Sequence, residues 1–198
     1  MNITLDAEKL RANVEELAAN LMSDPDTGLV RPRVETQLVG STSATSRFEQ
    51  YGREFEFNCD ESVGRGGEGA APSPLRYFLS GLAFCLQVWY AKASALTGCV
   101  INELNINLET FMDMRGEHRI GDVVAHPQWI FLEVDVRSPS TEDTVLEMRG
   151  EANARCPVYS LVQKAVPVYE LIIHNGSIAD DTRTQKIAAY LAEPRRPL

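Results

Sequence analysis

Cationic residues are scarce in this chain of 198 residues: 19 Lys and Arg stand against 28 Asp and Glu, a formal charge of −9. That balance opposes attraction to phosphate backbones and anionic lipid, so neither nucleic acid nor a membrane surface is expected as a partner. No stretch approaches the apolar length needed to cross a bilayer. The start Met1-Asn2-Ile3-Thr4-Leu5-Asp6 has neither the basic opening nor the apolar run of a secretory signal, and a cytoplasmic location is expected. Cysteine is sparse too. Four are too few for a disulfide scaffold, and in a reducing compartment a disulfide would be transient or catalytic. The three histidines, His118, His126 and His174, lack metal-ligand spacing. Internal repeats and low-complexity segments are absent from the sequence.

What is present suffices for a core: 44% of residues are hydrophobic, and the length suits one domain with terminal extensions. Leu10, Val14, Leu17 and Leu21 recur at helical spacing and stop at Asp24-Pro25, which predicts an amphipathic helix over about 5–22. Segments 34–39, 48–51 and 54–59 read as an antiparallel meander turning at Gly52. A polar stretch with Gly64, Gly66, Gly67 and Gly69 then implies a mobile lip. Behind it, Ser73-Pro74 starts a helix predicted to reach Leu96 and to end near Gly98. Its apolar content runs round most faces, so it is expected to be central and largely covered.

Two long strands are predicted next, 101–112 and 129–137, joined by a loop or hairpin turn through Arg115-Gly116-Glu117-His118 and Gly121. In the second, Phe131 and Leu132 break the alternation. A helix from about Thr141 to Asn153 follows, then Cys156-Pro157 opens a short helix through Val158, Leu161, Val162 and Ala165. Residues 168–173 form the closing strand, and a helix is expected around 181–191. These blocks make an α+β chain, divided into an N-terminal helical extension (1–31), a main domain (32–174) and a C-terminal extension (175–198).

Two thiols have defined addresses. Cys85 lies inside the long helix; Cys156 precedes Pro157, facing the unpaired N–H groups of a helix start. A catalytic dithiol needs one thiolate to attack and a second thiol to resolve the product. Local electrostatics favours Cys156 as the attacking thiolate, because the terminal field has decayed at Cys85, which would need a positive group brought by tertiary structure. Each also has a plain structural reading: Cys85 as a small buried hydrophobe and Cys156 as a cap substitute. Cys59, at a strand end, and Cys99, after Gly98, read as structural.

Asp60-Glu61, Gly66-Gly67, Ala71-Pro72-Ser73-Pro74-Leu75, the small-residue helix through Ala83-Phe84-Cys85, and Cys156-Pro157-Val158 together resemble the OsmC/Ohr family of osmotically inducible and organic hydroperoxide resistance proteins, over roughly residues 32–174. The resemblance implies an OsmC-like fold, antiparallel strands wrapped around a long central helix in an intertwined homodimer, without a cofactor. It implies a thiol peroxidase acting on an organic hydroperoxide and regenerated by an external thiol or dithiol. By analogy Cys85 is the peroxidatic cysteine and Cys156 the resolving one, reversing the local electrostatic assignment. The family pairs an arginine from the N-terminal strand region with a glutamate just after the proline of the central helix. Arg47 is the best match for the arginine, with Arg53 and Arg76 able to present the same charge. The glutamate is missing: the stretch reads Pro74-Leu75-Arg76. Either Glu61 or Glu68 substitutes from the lip, or Arg47 acts unpaired, or peroxide reduction is weak. An OsmC-like binding or redox-responsive protein with little peroxidase activity is the alternative.

Overall fold

The computed structural model describes residues 3–164 and 166–193. In chain order the elements are α1 (Ala7–Ser23), β1 (Glu35–Leu38), β2 (Ala44–Gln50), β3 (Arg53–Cys59), α2 (Pro74–Thr97), β4 (Glu103–Phe111), β5 (Trp129–Arg137), α3 (Glu142–Arg155), α4 (Pro157–Gln163), β6 (Leu171–His174), β7 (Ser177–Asp181) and α5 (Gln185–Ala192). The expected helical position Ala165 and the tail beyond Glu193 lie outside the described residues.

Helix α2 is the organising element. Pro74 stands in its first turn, where a missing N–H costs nothing, and Gly98 ends it in the left-handed conformation at φ 76°. Ser73 occupies the N-cap position, yet its hydroxyl makes no capping bond, so proline rather than the serine side chain sets this start. Leu79, Leu82, Leu86, Tyr90 and Ala93 follow helical spacing along one buried face. Against that face pack Met148 and Ala152 of α3, Cys156, and the inward side chains of β4 and β5. Helix α1 lies alongside α2, and its Arg11 guanidinium donates to the Ala95 carbonyl in the last turn of α2, where an incoming cation meets unpaired carbonyls.

The opposite side of α2 is not covered within one chain. Phe78, Phe84 and Val88 are 45%, 65% and 52% exposed, and a side chain on Gly81 would begin in open space. The expectation of a largely covered central helix is met within the single chain on one face only. Burial divides the helix into a packed face and a bare apolar one.

Among the described residues the strands form three antiparallel sheets: β1-β2-β3, β4-β5 and β6-β7. In β4-β5, Leu104, Ile106 and Leu108 with Ile130, Leu132, Val134 and Val136 meet the core, so β5 alternates without interruption. Phe131 belongs to the outer face, beside Trp129, which stacks on Phe111 at 6.1 Å. The meander also has two characters. Register puts Phe48, Phe55 and Phe57 on one face, where Phe48 stacks on both others and Phe57 meets Tyr77 of α2 edge-on. Arg47, Glu49, Glu54 and Glu56 occupy the other face.

The lip differs from its expectation of high mobility. The buried Asp60 carboxylate accepts from the backbone N–H groups of Glu61, Glu68 and Ala70 at 2.8, 3.0 and 3.1 Å, and from the Thr42 hydroxyl at 2.9 Å. Those bonds, with the Ala70 N–H contributing most, hold its pKa far below the usual carboxylate range. Gly67 is wedged into the same knot: a side chain there would begin 2.0 Å from the Glu61 carbonyl oxygen.

At the C-terminal end, β6 continues through Asn175-Gly176, both at positive φ, into β7. The boundary expected after residue 174 thus falls at the turn of a hairpin. Helix α5 ends against Arg31, which donates to the Tyr190 and Glu193 carbonyls, each at 2.6 Å, and lies over the Tyr190 ring. Among the described residues no helix is long and apolar enough to cross a membrane, and no group of three or more side chains is disposed to hold a metal ion.

Candidate functional site: a facing thiol pair

Cys85 and Cys156, 71 positions apart in sequence, are brought to an Sγ–Sγ distance of 3.1 Å. Helix periodicity places Cys85 at the margin of the packed face of α2, half-buried, while Cys156 sits fully buried at the joint where α3 ends and α4 begins. Its N–H closes α3 onto Ala152, and its sulfur accepts from the Tyr159 N–H at 3.4 Å at the start of α4. Both are free thiols, and Cys156 donates to Cys85. A disulfide between them would require an oxidant to remove two electrons and two protons as the sulfurs close to about 2.05 Å.

The environments of the two thiols are unequal. Burial, and then the bond to Cys85, pushes the Cys156 thiol up to about 11, against the weaker pull of the Tyr159 and Val158 N–H groups. The helix start argued from sequence is present and acts in the expected direction, but desolvation outweighs it. At neutral pH Cys156 is a thiol that donates to its partner. Cys85, half-buried, is the more exposed of the two.

The remaining residues singled out from sequence fall elsewhere. Arg47 pairs with Glu56 across β2-β3, Nε to Oε2 at 2.7 Å, on the face of the meander opposite to its phenylalanines. That pairing raises the Arg47 pKa. Among the described residues neither thiol is bonded to an arginine. Arg53 stands opposite Gln50 on the phenylalanine face, and Arg76 lies in the first turn of α2. Glu68 contributes its backbone N–H to the Asp60 knot.

Glu61 is placed more suggestively. With Leu75 it lines a cleft of about 310 Å³ that also includes Arg65, Ser73, Met112 and Glu117. Arg65 reaches Glu61 at 2.9 Å and Glu117 at 2.8 Å. Arg65 and this role of Glu117 were not visible in the sequence. Arg65 is one more residue of a glycine-rich lip, and Glu117 lies 52 positions away. A second, more apolar cleft of about 280 Å³ between the meander and the start of α2 includes Phe57, Cys59, Pro74 and Tyr77.

Residues 66–170, over half of the chain, match the family described as OsmC-like protein, and the chain belongs to that family. The matched span begins in the lip, contains α2 and both thiols, and stops just short of β6. An OsmC-like protein from Mycoplasma pneumoniae is similar in structure at a TM-score of 0.57 and 21% identity, over 67% of this chain and 87% of that one. A protein from Psychrobacter arcticus 273-4, titled a putative osmotic stress induced and detoxification response protein, is similar at a TM-score of 0.53 and 15% identity, over 75% of this chain and 93% of its own. At such identities the likeness concerns the fold: helices and antiparallel sheets in the OsmC-like arrangement. No curated protein matches the sequence.

Proposed function

We propose that this protein is a thiol-dependent peroxidase that reduces organic hydroperoxides through Cys85 and Cys156. The single observation carrying the reading is the facing pair itself, two free sulfurs 3.1 Å apart with unequal exposure. In the proposed cycle the Cys85 thiolate attacks the terminal, hydrogen-bearing oxygen of the hydroperoxide O–O bond. That bond breaks, Cys85 becomes a sulfenic acid, and the leaving alkoxide takes a proton to depart as alcohol. The Cys156 sulfur then attacks the Cys85 sulfur and hydroxide leaves as water once protonated. Sulfenic acid and thiol become a disulfide. Two equivalents of an external thiol, or one dithiol, reduce that disulfide and are themselves oxidised.

Family membership supports this direction of attack, and so does the raised Cys156 pKa, since a resolving thiol is called on only after the first oxidation. Arg47 is retained as the proposed positive charge for the Cys85 thiolate. Its pairing with Glu56 within the chain means that it would have to come from a second copy or exchange partners. A homodimer is part of the same proposal, motivated by the bare face of α2 and the uncovered phenylalanines of the meander. Leu75 and the engaged Arg47 favour a second reading, an OsmC-like redox-responsive or binding protein with slow peroxide reduction.

Mass spectrometry after one equivalent of cumene hydroperoxide separates the two. The wild type is expected to lose two hydrogens and both reactive thiols. Cys156→Ser should gain one oxygen, and Cys85→Ser should stay unchanged and turn over no peroxide. An unchanged wild-type mass with Cys85 and Cys156 still free would defeat the peroxidase reading.

A further inference from the structure

We infer that the β4–β5 connection, residues 112–128, is a hinged lid over the cleft at the start of α2, held shut by Arg65 acting as a clasp between the two loops that wall the cleft. The inference concerns loop motion and stands whether or not the thiol pair reduces peroxides.

One jaw of the cleft is fixed. Asp60 ties the lip to itself through three backbone N–H groups, and Gly67 leaves no room for it to shift without opening that knot. Arg65 therefore projects from a firm base, with Glu61, four residues earlier, steadying its Nε.

The other jaw is a folded body. Asp113 accepts from the Arg115 N–H and side chain, the Gly116 N–H reaches the Asp113 carbonyl, and the Ile120 N–H reaches the Arg115 carbonyl. Gly116 is buried under the returning chain, where a side chain would begin 2.1 Å from the Val124 carbonyl oxygen. Below this unit the Gln128 N–H bonds to the Phe111 carbonyl and closes the ladder of β4 and β5, so the loop pivots where the sheet ends. Met112, Ala125 and Pro127 then face Ser73, Pro74 and Leu75 across the gap.

Between two such bodies, the Arg65–Glu117 contact is the ion pair that crosses. Its side chains are 34% and 29% exposed, so solvent reaches it and salt weakens it. A pair of this kind biases an equilibrium by no more than about fivefold, which poises the lid instead of locking it. Glu61 adds a competing seat for the same guanidinium: when Glu117 leaves, Arg65 stays bound to the lip, and the loop moves away without leaving its cation unpaired.

Hydrogen exchange on the full chain tests this at low and high salt, comparing wild type with E117Q and R65Q. Both variants are expected to raise exchange over 114–126 about two- to fivefold at low salt, with α2 amides unchanged. High salt should bring wild type toward the variants while leaving them where they were. Equal exchange over 114–126 in all three proteins at low salt would overturn the clasp, and so would an increase that extends through α2, because that reports general loosening.

Discussion

The body around α2 and the meander β1-β3 are built from the same kinds of residues and end in opposite states. In the body, Leu82, Leu86 and Tyr90 are 1%, 1% and 2% exposed, enclosed by α3, β4 and β5. In the meander, Phe55 and Phe57 are 37% and 44% exposed although they stack with Phe48 in an ordered row. Three short strands can pair with one another through their backbones, but they cannot bury an aromatic face without a second layer. Within one chain that layer is limited to Tyr77 and its surroundings. The bare stripe of Phe78, Phe84 and Val88 on α2 is the same unmet requirement seen from the helix side. Secondary structure is thus complete within the chain while burial is not.

The contrast is sharpest in stability. Leu86→Ala should cost about 2–5 kcal/mol in urea unfolding, through lost transfer energy and a cavity that the packed body cannot collapse. Phe55→Ala, already half in water, should cost well under half of that in a dilute sample where chains are apart. Equal losses would mean that the meander is covered as completely as the body. Sedimentation reads the other side of the comparison. A dimer at micromolar concentration is expected for wild type, and Phe57→Asp should shift it to monomer with α2 intact; a stable wild-type monomer would remove the second copy as the missing layer.

A smaller effect follows from Cys156. Its proton is held more tightly in the folded state than in the unfolded one, so the stability it contributes is complete below about pH 9 and is lost as pH rises toward about 11. Cys156→Ala should flatten the fall in stability between those limits. A decline as steep as the wild type's would assign it to other groups. Smallest is the effect of the exposed Arg47–Glu56 pair. If Arg47 serves the Cys85 thiolate, Arg47→Ala moves Cys85 alkylation to higher pH, and superimposable profiles eliminate it from that role.

Much of this architecture is legible in the order of residues. Ser73-Pro74 and Gly98 bracket α2 because proline and glycine act on the backbone locally, whatever surrounds them. The inward rows of β4 and β5 likewise follow from a period of two, although aromatic residues on the outer face made Phe131 look like an interruption. The β6-β7 hairpin was equally open to reading. Asn175-Gly176 is a strong tight-turn signal at the point where β6 passes into β7. The acidity of Cys156 was not legible in the same way, since the helix start is local whereas the desolvation that overrules it comes from α2 and α3 closing round the sulfur. Arg65 and Glu117 fall under the same limit: their meeting depends on two loops, and neither loop carries a mark of the other.

Two arginines near the N-terminus finish helices that belong to distant parts of the chain: Arg11 closes on Ala95, and Arg31 on Tyr190 and Glu193. The first thirty-one residues are therefore structural collaborators of later segments as well as a preface to them. A chain shortened to start at Pro32 would keep every residue of α2 and α5 and both thiols, yet leave the carbonyl ends of those two helices to water. Fraying should then begin at Thr97 and Ala192, far from the cut in sequence.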